Sequence, residues 1–222
     1  MIDNITVVGR GRVGSAIAAR LLERGVELRE DGSEVVLLCV PDRAIADAAR
    51  AIEPGPWVAH VSGGTRLSTL EPHQRRFGLH PLQTFTRARG PEQLDGAFAA
   101  VSGETQEALA TGFELAETLG LRPFELDDSQ RALYHAGAVV ASNYLVTLER
   151  AAAELVAAAG APPEALVPLM TRTIENGFEL TGPIERGDWE TVEAHLEALD
   201  ERPELRRLYE TLAEATKELA AR

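Results

Sequence analysis

Three glycines and a handful of histidines are the residues of this chain whose types and spacing point to chemistry. Gly9, Gly11 and Gly14 stand in the spacing G-x-G-x-x-G within VVGRGRVGSAIAARL, between a β-branched run and a helical one. In that setting each glycine has a task. Gly9 allows a tight turn off a strand, Gly11 lets a pyrophosphate approach the backbone, and Gly14 lets the helix lie close to the strand. The helix N-terminus adds free N–H groups and partial positive charge. Arg10 and Arg12 bring further charge for phosphates, and Val13 completes the loop. The same pattern also serves as a glycine-rich turn used only for packing.

Histidine is the natural proton carrier near neutral pH, the more so here because Lys217 is the only lysine. His80 follows the strand RFGL and is expected to project from the C-terminal edge of a sheet, with capping of the turn before Pro81 as the alternative. His135 and Asn143 lie eight positions apart in a long helical stretch. At 3.6 residues per turn their directions differ by about 80°, so both can face one cleft, and Tyr134 and Ser142 share that spacing. A satisfied hydrogen bond between helices is the other reading of these polar groups. Arg186, in LTGPIERGD, suits a bidentate grip on a substrate carboxylate. Asp188 reads as an N-cap for WETVEAHL, and His195 as a surface or interface residue. No pair of histidines and acids has a metal-ligand spacing such as H-E-x-x-H.

Elements must hold these groups in place. ITVVG, VVLLCV, WVAHVS, RFGLH, AFAAVS and LRPFEL read as strands, with helices SAIAARLLERG, RAIADAARAI and TQEALATGFELAETLG between several of them. That alternation implies an α/β fold with a mostly parallel sheet. Ligands of such sheets bind beyond the carboxyl ends of the strands. Val40, Pro41 and Asp42 lie there after VVLLCV, although Asp42 also suits the N-cap of RAIADAARAI. Ser62 and Gly63, with Gly64, follow the next strand, where small residues leave room for a nicotinamide or a substrate. Beyond Asp128 the pattern is helical throughout. The expected domains are therefore 1–127, nucleotide-binding, and 128–222, helical.

Composition narrows the partners. The chain has 222 residues, 45% of them hydrophobic, and a formal net charge of −13. An acidic surface is wrong for nucleic acid, and no apolar run reaches the ~18 residues of a membrane helix. With the single Cys39 inside VVLLCV, a buried thiol is expected, not a disulfide. The chain opens directly into a strand without a basic, apolar leader, so a cytoplasmic location is expected.

One part of the dinucleotide pattern is missing. The acidic residue expected about 20 residues after the glycines, at the end of a second strand, has little chain to sit on. Only VELREDGSE joins Gly25 to the strand that starts at Val35, and a parallel crossover takes a dozen or more residues. Glu27, Glu30 and Asp31 are thus expected in a loop at the wrong edge, and the adenosine-binding half reads as deleted.

The ordered set VVGRGRVGSAIAARL, LLCVPDRAI, VAHVSGGT, GLHPLQTF, YHAGAVVASNYL and LTGPIERGDWETVEAHL resembles a family of short Rossmann-like proteins assigned as oxidoreductases. Their helical C-terminal domain is a domain of unknown function. The family is related in fold to 6-phosphogluconate dehydrogenase, pyrroline-5-carboxylate reductase and prephenate dehydrogenase. The resemblance spans nearly the whole chain. It implies a helical domain of the 6-phosphogluconate dehydrogenase type, NADP or NAD as cofactor, and a homodimer formed through the helical domain. It further implies a small carboxylate-bearing keto or hydroxy substrate, ketopantoate being one example among relatives. GLHPLQTF is similar to the histidine-proline motif of prephenate dehydrogenases. On that basis His80 is the proton-transfer candidate, Gln83 a substrate contact, and His135 and Asn143 the groups that place the substrate. Two other readings remain open: a non-catalytic dimeric binding protein that kept only the phosphate loop, and an enzyme using a smaller cofactor.

Overall fold

A computed structural model describes residues 2–221. Strand β1 (Asn4–Val8) leads through the glycine loop into helix α1 (Arg12–Glu23). Gly25, at φ +79°, ends that helix in the left-handed conformation that suits glycine after a last turn. β2 (Glu27–Leu28), β3 (Val35–Leu38), helix α2 (Ile45–Arg50), β4 (Trp57–His60), β5 (Arg76–Pro81), β6 (Phe98–Gly103), helix α3 (Gln106–Thr118) and β7 (Arg122–Glu125) follow. Among the described residues the strands form one sheet of order β2-β1-β3-β4-β5-β6-β7. It is parallel except between β5 and β6, so the expected α/β, mostly parallel architecture is what the chain forms.

The two faces have separate cores, which explains the continuous apolar strands. β3 and β4 are buried at every position, as a sheet covered on both sides requires. One face buries Ile17 and Leu21 of α1 and Leu115 of α3 against Ile5, Leu37 and Phe77. The other buries Ile45 and Ala49 of α2 and Leu67 and Leu70 against Val36, Leu38 and Val58. Each fully buried Leu or Phe contributes roughly 1.5–3 kcal/mol relative to exposure.

The segment after Gly25 departs from expectation. Glu27 and Leu28 form a second strand after all, parallel to β1, with Glu27 opposite Asn4 and Leu28 opposite Ile5. The strand is a stub. It stops level with Ile5, three residues below Val8, or about 10 Å at ~3.3 Å per residue. No long return is needed because so little height is gained. The turn is fixed by the Asn4 Nδ2 group donating to Glu34 (3.0 Å), the Glu34 N–H donating back to Asn4 (2.9 Å), and the Thr6 and Ser33 hydroxyls at 2.8 Å. Glu30 and Asp31 do lie in the loop between β2 and β3.

The compact units are Met1–Ser142 and Asn143–Arg222, a division later in the chain than the change of pattern near Asp128. Helix α4 (Arg131–Val139) therefore belongs with the sheet, because Arg131 and Tyr134 are bonded into it. The long helical stretch is also interrupted. A π turn at Val140–Tyr144 separates α4 from α5 (Leu145–Ala158), so a uniform 3.6-residue phase fails across it. The second unit continues with α6 (Leu166–Glu175), α7 (Trp189–Ala198) and α8 (Pro203–Ala220). Asp188 caps α7 as expected, accepting from the Thr191 N–H (3.2 Å) and hydroxyl (2.8 Å).

Candidate functional site

The glycine loop has the geometry its spacing implies. A Cβ on Gly9 (φ +108°) would stand 2.4 Å from the Cys39 carbonyl oxygen, and one on Gly14 2.1 Å from the Gly9 carbonyl oxygen. Both glycines are thus demanded by packing of β1, β3 and α1. Gly11 differs: nothing lies within 4 Å of where its Cβ would be. That open space, at the N-terminus of α1 beside Arg10 and Arg12, is what a diphosphate needs. These residues would hold a dinucleotide's phosphates. Val13 is half-buried against the core, where it anchors the loop.

Around the loop, the C-terminal edge holds the other expected positions. Val40 packs on the core of the α2 face. Asp42 does not cap α2: a 3-10 turn, Asp42–Ala44, starts there after Pro41 and receives no side-chain cap. Its backbone supplies the closure instead, as the Ala44 N–H donates to the Pro41 carbonyl at 2.7 Å. Cys39 is a protonated thiol, its pKa pushed up to about 12 by burial.

Histidines gather at the ends of β4 and β5. His60, the last residue of β4, lies opposite Gly78 of β5, and His80 stands two residues further along the same face. His80 Nδ1 is 2.9 Å from the Tyr134 hydroxyl. Its ring meets the His135 ring edge-on, with centroids 5.8 Å apart. The floor beneath both imidazoles is Gly63 and Gly64. A Cβ on Gly63 would stand 2.6 Å from His135 Cδ2 and 2.9 Å from His80 Nε2. Ser62 turns inward: its hydroxyl donates to Thr65 (2.8 Å) and accepts from the Thr65 N–H (3.1 Å), which shapes the Gly63–Gly64 turn.

Arg131 underlies this cluster. It is fully buried, and its guanidinium crosses β5 in the space left by Gly78, where a Cβ would be 2.7 Å from Nη1. Nη1 donates to the Ser102 hydroxyl of β6 (2.8 Å) and Nη2 to the Ser62 carbonyl. Nε has no hydrogen-bond partner, and neither has either ring nitrogen of the fully buried His60. The electrostatic result is consistent. Burial, with the nearby Arg131 and His80, drives His60 down to about 3. Burial, then His135 and Arg131, takes His80 down to about 4. Burial raises Tyr134 to about 12 against the opposing pull of Arg131. At neutral pH both of these imidazoles are therefore uncharged and the phenol keeps its proton.

The remaining expected residues each have their own local setting. Gln83 follows β5, but its amide is committed to its own loop: Nε2 donates to the Gln93 carbonyl (3.2 Å), and Oε1 accepts from the Thr84 N–H (2.8 Å). Asn143 is exposed in the π turn, a feature frequent at functional sites. Arg186 is exposed in the turn before α7. His195 shares a hydrogen bond with the Tyr209 hydroxyl at 2.8 Å. Sequence reasoning missed His60 and Arg131. Signals for both existed: a histidine ending the apolar run WVAH, and the i, i+3, i+4 set Arg131, Tyr134, His135 on one helix face. Among the described residues no group of three His, Cys, Asp or Glu side chains is arranged to hold a metal ion, and no helix is long and apolar enough to cross a membrane.

Comparison with known proteins agrees with this architecture. The family model "Domain of unknown function (DUF2520)" matches residues 97–216. A Bacteroides fragilis protein, provisionally named an NADP oxidoreductase, superposes with a TM-score of 0.83 at 23% identity, covering 98% of each chain. A Thermotoga maritima protein follows at 0.78 and 23%, again covering 98% of each. The 1-pyrroline-5-carboxylate reductase of Streptococcus pyogenes gives 0.62 at 16% identity, over 97% of this chain and 98% of that one. At these identities the likeness establishes the fold. No curated protein sequence matches the chain.

Proposed function

We propose that this chain, which belongs to the DUF2520 family, is an NAD(P)-dependent oxidoreductase acting on a small keto or hydroxy compound that bears a carboxylate. The observation that carries the reading is His80: a neutral imidazole at the sheet's C-terminal edge, Nδ1 engaged by Tyr134 and Nε2 against Gly63. Two names among the structural relatives, an NADP oxidoreductase and a pyrroline-5-carboxylate reductase, point the same way.

The residues divide the work. A nicotinamide, when bound, supplies the hydride chemistry. With the Tyr134 hydroxyl donating to Nδ1, His80 presents Nε2–H to the carbonyl oxygen that gains charge as its carbon is reduced. A ring held at a pKa of about 4 is a poor proton reservoir but a good neutral donor for polarising a carbonyl. His135, over the same floor, delivers the proton that converts the alkoxide to a hydroxyl. Gly63 and Gly64, lacking side chains, let the two imidazoles pack down against the turn and so hold them side by side.

Titration with NADPH and with NADH, followed by the change in nicotinamide fluorescence, tests the reading. Saturable binding of at least one is expected. Absence of binding by both up to millimolar concentration overturns it in favour of a binding protein that kept only the phosphate loop.

The same reading includes a homodimer. In the unit Asn143–Arg222 only Val192 and Leu199 are buried among the described residues, while Leu145, Val146, Val167, Leu169, Ile174 and Phe178 are exposed. A helical unit with so little core of its own gains stability by packing on a second copy.

A further inference from the structure

A second feature lies beside the glycine loop, on the flank of α1. A cleft of about 280 Å³ runs between the first two turns of that helix and the segment after β5. Arg10 and Arg12 line one wall with Ser15, and Arg87 and Arg89 line the other with Thr86. Four guanidinium-bearing residues thus converge on one space in a chain whose net charge is −13. Among the described residues no carboxylate lies within ion-pair distance of Arg10, Arg12 or Arg87. Arg89 has only Glu92, at 3.8 Å and largely exposed. The wall is held to the helix independently of these charges: Arg20 of α1, almost buried, donates to the Pro91 carbonyl (2.9 Å) and pairs with Asp95 (2.8 Å).

Like charges gathered without counter-ions cost stability unless a ligand offsets them, and paired guanidiniums match phosphate oxygens bidentately. We propose that this cleft is a phosphate clamp, in which Arg87 and Arg89 join Arg10 and Arg12 to grip a phosphate of the nicotinamide dinucleotide. The owner of the phosphate rests on the oxidoreductase reading above; the clamp itself does not. The stub β2 gives the clamp its purpose. With no strand end at the height of Gly9 to hold the adenosine ribose, anchorage moves to the phosphates and to a chain segment outside the glycine motif.

Calorimetric titration of the whole chain at low ionic strength, with inorganic pyrophosphate, NADPH and NADH as probes, tests this. The R87S/R89S double variant, altered at two exposed positions, is expected to bind pyrophosphate and the dinucleotides at least tenfold more weakly. The charge-matched R172S/R207S variant is expected to bind as the parent does. A loss confined to NADPH assigns the 2′-phosphate to the clamp; a loss for both dinucleotides assigns the diphosphate. Unchanged binding by R87S/R89S, an equal loss in R172S/R207S, or no pyrophosphate binding by the parent overturns the clamp and leaves the oxidoreductase reading to its own test. Clamp-dependent pyrophosphate binding with neither dinucleotide bound keeps the clamp and removes the oxidoreductase reading.

Discussion

His80 joins strand, helix and turn at one atom pair, so its substitution separates binding from chemistry. His80→Ala is expected to lower kcat by about 10²–10⁴-fold, the range of a lost acid–base or donor group, with nicotinamide affinity nearly unchanged. Stopped-flow turnover and fluorescence titration of the same variant check both halves. A variant with full activity makes His80 a structural residue. The neutral state also fixes a pH response. His60 and His80 bind a proton less readily folded, at about 3 and about 4, than at the ordinary 6.5. As pH falls below 6.5 the unfolded chain takes up more protons than the folded one, so stability falls through this window. Thermal melts between pH 7 and 4 are expected to show a declining midpoint. His60→Leu removes two unpartnered buried nitrogens and is expected to melt no lower than the parent at pH 7, with a shallower decline on acidification.

Glycines set how closely the elements approach. Gly14→Ala forces a methyl onto the Gly9 carbonyl oxygen, a rigid backbone group, and is expected to cost about 1–3 kcal/mol in chemical denaturation. Gly63→Ala meets side chains instead, the His80 and His135 rings. It is expected to spare most of the stability while disturbing the cluster, so turnover falls more than the denaturation midpoint. Equal losses in both would mean that Gly63 serves packing alone. The contrast was half legible in the sequence. The G-x-G-x-x-G spacing predicts the Gly14 contact, because that motif has a known strand–turn–helix geometry. Nothing in VSGGT predicts that an imidazole from α4 and another from β5 meet above Gly63, since those rings come from distant positions. The stub β2 stands where a loop is expected for a related reason: a parallel crossover demands a long return only for a full-height strand, and a strand of two residues gains too little height to need one.

For the whole molecule, the exposed apolar positions of the helical unit make association the expected state. Light scattering at micromolar concentration is expected to give about twice the chain mass, and a monomer there contradicts the proposal. The Val167→Glu and Leu169→Glu changes, at positions exposed in the single chain, are expected to shift the population toward monomer by placing charge in a desolvated contact.

The sequence by itself determined the architecture: continuous apolar strands, period-3.6 helices and a glycine turn leave few ways to bury the core other than a sheet covered on both faces. It also determined the close strand–turn–helix packing at the start of α1, where Gly9 and Gly14 leave no room for a side chain. Tertiary structure alone decided which side chains meet. Arg131 reaches the ends of β4, β5 and β6 only because Gly78 leaves a gap between them, and Arg87 and Arg89 face the glycine loop only because α1 is tied to the segment around Pro91. Such contacts join residues tens of positions apart, and local spacing carries no information about them.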